Sequence, residues 1–293
     1  MTPEGLDLAD WVAINAQLAC LLEASARKPG NVSPGNHFSD TRYEHFLASA
    51  AAIGPPFRHA GERPLGLTVR MAVESTSHWT QSNTNLGIIL LMAPIARAAF
   101  DSSSTALRDR LDRVLKAATV DDARDVYSAI RRAAPGGLGR APDQDVAEEP
   151  TLPLLDVMKL AMHRDTIARE YATSFDITFT IGAPALERAL ADRLPWEDAV
   201  VELYLTLLGE IPDTHVVRRA GAARAEDIRL DARHALERGG VRSSNGRLAI
   251  EAMDRGMRDS GNLANPGTTA DLTAASIFVV LLGGGWNHAG GRE

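Results

Sequence analysis

Along almost the whole chain the apolar residues recur at helical spacing, and alternation of β-branched with polar residues, which a half-buried strand needs, is nearly absent. The first such stretch, residues 7–26, carries Leu8, Trp11, Val12, Ile14, Leu18, Leu21 and Leu22 on a helical period and stops at Lys28-Pro29-Gly30. Helical patterns follow at 41–53, 67–78, 86–96, 104–117, 121–134, 153–171, 182–210 (split at Pro195-Trp196), 223–260 and from 271 onward. The one brief strand-like run is 175–181. Alanine, leucine and arginine are abundant and aromatics make up only 5%, a balance that favours helix. The pattern predicts an all-α fold: a single compact multi-helix domain over residues 1–293, with a flexible polar loop at 135–150 and a frayed tail at 284–293.

A net charge of −7 argues against a nucleic-acid surface. Cys20 is the only cysteine, so no internal disulfide forms and a reducing compartment is expected. The first residues are acidic and lack the basic-then-apolar order of a signal peptide. The apolar runs 86–100 and 277–282 are too short or too interrupted to span a bilayer. The expectation is a soluble cytoplasmic protein with no nucleic-acid or membrane partner, and assembly as a homodimer is left open. Walker loops, dinucleotide fingerprints, nucleophile elbows and zinc-binding His/Cys patterns are all missing.

Four loops share one grammar, a polar Asn/Asp/Thr/Gly stretch leading into an apolar helix. The first runs from Lys28 through Asn31, Asn36 and His37 to Asp40. The second is Asn83-Thr84-Asn85, entering a segment that is apolar all round and hence buried. The third is Asp213-Thr214-His215, with Arg218 one turn later. The fourth is Asn265-Pro266-Gly267-Thr268-Thr269-Ala270-Asp271, in which Thr268 or Thr269 can cap and Asp271 is expected in the first helical turn. Helix capping explains each loop separately. Oxygen-rich side chains at helix starts also suit magnesium and phosphate, with lysine and arginine completing a polyphosphate pocket.

Lys28-Pro29-Gly30 with Asn36-His37 and Asp40, Asn83-Thr84-Asn85-x-Gly87, Asp213-Thr214-x-x-x-Arg218, and Pro266-Gly267-x-x-Ala270-Asp271-Leu272 together resemble the triphosphoribosyl-dephospho-CoA synthase family, over roughly residues 20–283. The resemblance implies an all-helical enzyme that joins the ribose of ATP to the 2′-hydroxyl of dephospho-CoA and releases adenine. The product is the precursor of a prosthetic group on acyl-carrier subunits of citrate or malonate decarboxylating systems. The chain departs from the pattern at Asn85-Leu86, where His-Lys is expected, and at 265–271, where Ser-Pro-Gly-Gly-Ser-Ala-Asp is expected. In this it is similar to a divergent branch from methylotrophic bacteria and archaea, which implies one-carbon cofactor synthesis of the tetrahydromethanopterin or methanofuran type. Loss of the cation predicts that dephospho-CoA is a poor acceptor.

On this basis ATP is the expected substrate, Mg2+ the cofactor and a small molecule the acceptor. Asp40, Asp213 and Asp271 are the candidate catalytic carboxylates, and Asp213 and Asp271 also the candidate metal ligands. Lys28, Asn31, Asn36, His37, Asn83, Thr84, Asn85, His215, Arg218, Thr268 and Thr269 are the candidate substrate and phosphate contacts. The rival is a non-catalytic nucleotide-binding protein or scaffold whose loops only cap helices.

Overall fold

The computed structural model describes residues 5–259 and 261–285, so most of the expected frayed tail lies outside the described residues. The fold is all-α. Among the described residues the only β-type pairing is a lone bridge between Ser33 and Asn36. Contacts gather into two compact units: Met1–Leu21 with Glu44–Asp176, and Leu22–Tyr43 with Ile177–Glu293.

In the first unit, α1 (Leu8–Ser25, whose last turn belongs to the second unit) is followed by α2 (Tyr43–Ala52), α3 (Gly54–Arg58), α4 (Leu65–Ser77), α5 (Leu86–Ala99), α6 (Leu107–Ala117), α7 (Val120–Ala133), α8 (Leu154–Ala161) and α9 (Thr166–Ala172). The core helix is α5, with Ile89, Leu91, Met92 and Ile95 wholly inaccessible. Pro94 inside it has no N–H, so the Leu90 carbonyl four residues earlier loses its helical donor. The buried Tyr171 hydroxyl donates to that carbonyl at 2.6 Å, which makes good the loss. Helices α4 and α7 meet at Gly66, where a Cβ would strike the Asp122 backbone. Asp122 closes a capping box with Thr119 and also accepts the Gly66 N–H at 2.7 Å.

One local expectation for this unit changes. The stretch 153–171 is two helices, because Asp165 turns its carboxylate to the Ala168 N–H at 3.1 Å and starts α9 as its N-cap. The polar loop 135–150 is fastened to α7: Tyr127 donates to the Gln144 carbonyl and Arg131 to the Val146 carbonyl at 2.8 Å.

The second unit holds the π-helical turn Thr178–Gly182, α10 (Ala183–Ala191), α11 (Trp196–Glu210), α12 (Thr214–Ala220), α13 (Ala222–Glu237), the 3-10 turn Gly240–Arg242, α14 (Ser244–Met257) and α15 (Gly267–Leu282). The strand-like run is therefore helical, with the π turn packed against α15. There a Cβ on Gly182 would collide with Ser276 Oγ. Helix α15 is buried on nearly every side, and its Thr273 and Ser276 hydroxyls donate back to the carbonyls of Thr269 and Leu272 at 2.8 Å each. Among the described residues no helix is long and apolar enough to cross a membrane.

Candidate functional site

Three of the four polar loops fall in the second unit, where direct hydrogen bonds join them. The first begins as α1 ends. A helix leaves its last carbonyls without partners, and here Lys28 folds back over them. Its ammonium donates to the carbonyl oxygens of Glu23 and, at 3.3 Å, Ala26, and pairs with the Glu23 carboxylate at 3.0 Å. The Lys28 side chain is 0% exposed and that of Glu23 is 4% exposed. Lys28, expected on phosphate, thus closes α1 and reaches no solvent in this arrangement.

The chain then turns through Gly30, whose φ of +75° suits glycine alone. Tyr204, buried on α11, donates to the Pro29 carbonyl at 2.9 Å, and burial followed by the nearby Asp213, Glu23 and Asp254 holds its phenol well above its ordinary range. The Gly30 N–H donates to Asp254 at 2.8 Å. Arg258 grips Asp254 through two nitrogens at 2.8 and 2.9 Å and donates to the Asn31 carbonyl at 3.0 Å. The Asn31 amide donates to Asn265 Oδ1 at 2.7 Å, tying the first loop to the fourth. Beyond Ser33 the loop pairs with itself at Asn36 and becomes exposed, so Asn36, His37 and Asp40 lie at the surface. His37 Nδ1 accepts the Tyr43 N–H at 3.2 Å, which starts α2.

Asp213 joins the third loop to the fourth. One oxygen accepts the Val216 N–H at 3.0 Å and caps α12; the other accepts the Thr269 N–H at 2.7 Å and hydroxyl at 2.8 Å. Helix α15 begins at Pro266 without a cap of its own, so Asp213 caps it from outside, and Thr268 and Thr269 lie within its first turn rather than capping it. The helix therefore starts early enough that Asp271 is in its second turn, half-buried. Burial raises the Asp213 carboxyl above its ordinary range, against the opposing pull of its N–H and hydroxyl donors. Thr214 and Thr268 meet at 3.3 Å, and Gly267 lies so close to the His215 imidazole that a Cβ would overlap it. Arg218 is half-buried on α12.

Asp213 was expected as a catalytic and metal-binding carboxylate, but its oxygens are committed to two helix starts and it acts as their joint. Among the described residues no group of three or more His, Cys, Asp or Glu is placed to hold a metal ion.

Asn31 Oδ1 and Ser33 Oγ are both buried without a hydrogen-bond partner. Leaving a polar atom so costs about 1–3 kcal/mol, and native proteins carry few. Two such atoms in three residues leave acceptors open to a water or to a polar group of a ligand. Ser33 did not stand out in the sequence, where it sits unremarkably between Val32 and Pro34.

The second expected loop, Asn83-Thr84-Asn85, belongs to the first unit. Exposed Asn83 accepts the Leu86 N–H at 3.1 Å, capping α5. Thr84 is buried with its hydroxyl 2.6 Å from that of Ser49, and Asn85 donates to Thr76 at 3.2 Å.

Known proteins are similar to this chain in sequence and fold. A protein from Pseudomonas fluorescens assigned as a triphosphoribosyl-dephosphocoenzyme-A synthase is 27% identical over 300 residues, covering 95% of this chain and 94% of its own. One of the same assignment from Pseudomonas savastanoi pv. phaseolicola is 32% identical over 113 residues, 38% of each chain. A crystal structure of a protein assigned as triphosphoribosyl-dephospho-CoA synthase from Archaeoglobus fulgidus superposes with a TM-score of 0.64 at 31% identity, over 81% of this chain and 99% of that one. Matched from residue 9 to residue 289 by the model of one enzyme family, this chain belongs to that family, CitG, ATP:dephospho-CoA triphosphoribosyl transferase.

Proposed function

We propose that the protein transfers the triphosphoribosyl group of ATP to a hydroxyl of dephospho-CoA and releases adenine. The match over residues 9–289 carries this proposal, and the unpartnered Asn31 and Ser33 atoms, in the loop hydrogen-bonded to Asn265, support it. In the transfer, the bond between ribose C1′ and adenine breaks, C1′ bonds to the acceptor oxygen, the acceptor hydroxyl gives up its proton to a carboxylate, and the departing adenine takes up one proton in exchange. Positive charge grows on the ribose ring as the old bond opens, so a carboxylate beside it stabilises the transition state. Asp271, one turn into α15, is proposed for that role, and the exposed Asp40 for accepting the hydroxyl proton. Arg218, Thr268 and Thr269 are proposed to bind phosphate or sugar, with Asp213 holding α12 and α15 in place for them. Magnesium is proposed to arrive on the ATP phosphates as part of the substrate, since this ion commonly needs only one or two carboxylates alongside phosphate oxygens.

A second acceptor class, from one-carbon cofactor synthesis, is favoured by one observation: Asn85 is buried against Thr76 and brings no charge where the family pattern has His-Lys. Chromatography of adenine after incubation with ATP, magnesium and each acceptor distinguishes the two. Adenine release that depends on dephospho-CoA supports the leading proposal, whereas release only with a pterin or furan acceptor moves the chain to the second class.

A further inference from the structure

The loop from Gly30 to Ser33 lies wholly in the second unit, and its main chain is pinned. The Gly30 N–H goes to Asp254, the Asn31 N–H to the Lys28 carbonyl at 3.2 Å, and the Asn31 carbonyl accepts from Arg258. Ser33 exchanges both backbone bonds with Asn36, at 3.0 and 2.9 Å. Gly30 packs so closely that a Cβ there would strike Met257 and crowd Pro266 at the start of α15. On this fixed backbone Asn31 is 5% exposed and Ser33 0%, yet Asn31 Oδ1 and Ser33 Oγ have no partner. The bond from the Asn31 amide to Asn265 holds that side chain, so its oxygen cannot turn to another partner without giving the bond up.

The two open atoms have a chemical preference. A carboxamide oxygen accepts and does not donate, whereas a serine hydroxyl does both. An ionised phosphate brings acceptors alone and leaves Asn31 unsatisfied, although the sequence places Asn31 among the phosphate contacts. A hydroxyl donates and accepts, and two neighbouring hydroxyls satisfy both atoms together. A base would also call for a flat face to stack on, and Tyr204, the aromatic side chain that reaches this loop, is 0% exposed. The way in is short. Ser33 and Asn36 close an exposed turn through Pro34 and Gly35, with Gly35 at the φ of +82° that a Pro-Gly turn of type II places there. A Cβ on Gly35 would meet nothing within 4 Å, and among the described residues neither Pro34 nor Gly35 makes a hydrogen bond. Shifting this turn therefore breaks two backbone bonds that water can replace.

We propose that Asn31 and Ser33 bind the 2′- and 3′-hydroxyls of a substrate ribose, with the turn at Pro34-Gly35 moving aside to admit them. The proposal rests on the transferase reading above, whose two substrates, ATP and dephospho-CoA, each carry a ribose with both hydroxyls.

The test is calorimetry on the full chain with magnesium present, beside thermal melts of the free proteins. Wild type, S33A and N31A are compared for ATP, dephospho-CoA and the 2′-deoxy and 3′-deoxy forms of each. S33A removes a buried hydroxyl that has no partner, so its free form should melt at least as high as wild type. Its affinity for one substrate should fall about three- to tenfold, as for one lost hydrogen bond. One deoxy form of that substrate should bind wild type more weakly by the same factor, yet bind S33A as well as the parent does, because the contact is already gone. Which substrate behaves so identifies the source of the ribose. N31A should act in the same way through the other hydroxyl. Equal affinity of wild type and S33A for every ligand overturns the proposal, even where adenine release upholds the transferase reading. Losses that simply add in S33A with the deoxy forms also overturn it, since Ser33 then acts on the base or on structure. A lower melting temperature of free S33A does so too, because the hydroxyl is then already bonded within the protein. Hydroxyl-dependent coupling without adenine release from any acceptor supports this site while the transferase reading fails.

Discussion

At the scale of single residues, buried charge is the main theme. Asp213 is ionisable, inaccessible and raised above its ordinary 3.8 by burial. From 3.8 up to that raised value the folded protein holds the proton more tightly than the unfolded chain does, so stability falls as pH rises through the window. Thermal melts across acidic to neutral pH should therefore show wild-type stability, measured relative to D213N, declining as pH rises and then levelling; a difference that grows with pH would contradict this. The Lys28–Glu23 pair is a second case. Removing one member of a buried pair strands the other charge, at about 3–5 kcal/mol, whereas removing both costs much less. In urea unfolding, K28M is expected to lose about that much and E23Q/K28M distinctly less than the sum of the single changes. Strict additivity would mean the two do not form the pair. Sequence alone could not tell a ligand contact from an internal strut at Lys28 and Asp213: Lys28 folds back on Glu23 at the end of its own helix, and Asp213 meets Thr269 only through tertiary packing.

At the scale of elements, helical periodicity carried most of the pattern: 7–26, 41–53 and 121–134 became α1, α2 and α7 with ends shifted by one or two residues. The failures have local causes. The run 175–181 is β-branched enough to resemble a strand, yet tertiary packing against α15 makes it a π turn, with Gly182 allowing the close approach. Asp165 is an N-cap that splits the expected helix 153–171. The close approach of α4 and α7, Gly66 on the Asp122 backbone, cannot be read from the sequence. G66A should force α4 and α7 apart and lower stability by about 1–3 kcal/mol, seen as an earlier denaturant midpoint at unchanged slope. An unchanged midpoint would show that the two helices are not held at that distance.

At the scale of the whole molecule, the all-α class and the family were both legible, the first from periodicity and the second from four ordered loops that are each weak alone. The site was legible only in part. Asn31 and the 213–218 and 265–271 loops do lie together in one unit, but Ser33 carried no signal, because serine is common in loops. What most directly tests the proposed chemistry is the fate of the ATP phosphates, followed by mass spectrometry of the acceptor after incubation with ATP and magnesium. A triphosphoribosyl transferase yields an acceptor that has gained one ribose and all three phosphates, with free adenine in equal amount. An acceptor that gains a phosphoryl group alone, or ATP converted to ADP or AMP with adenine still attached to its ribose, would contradict it.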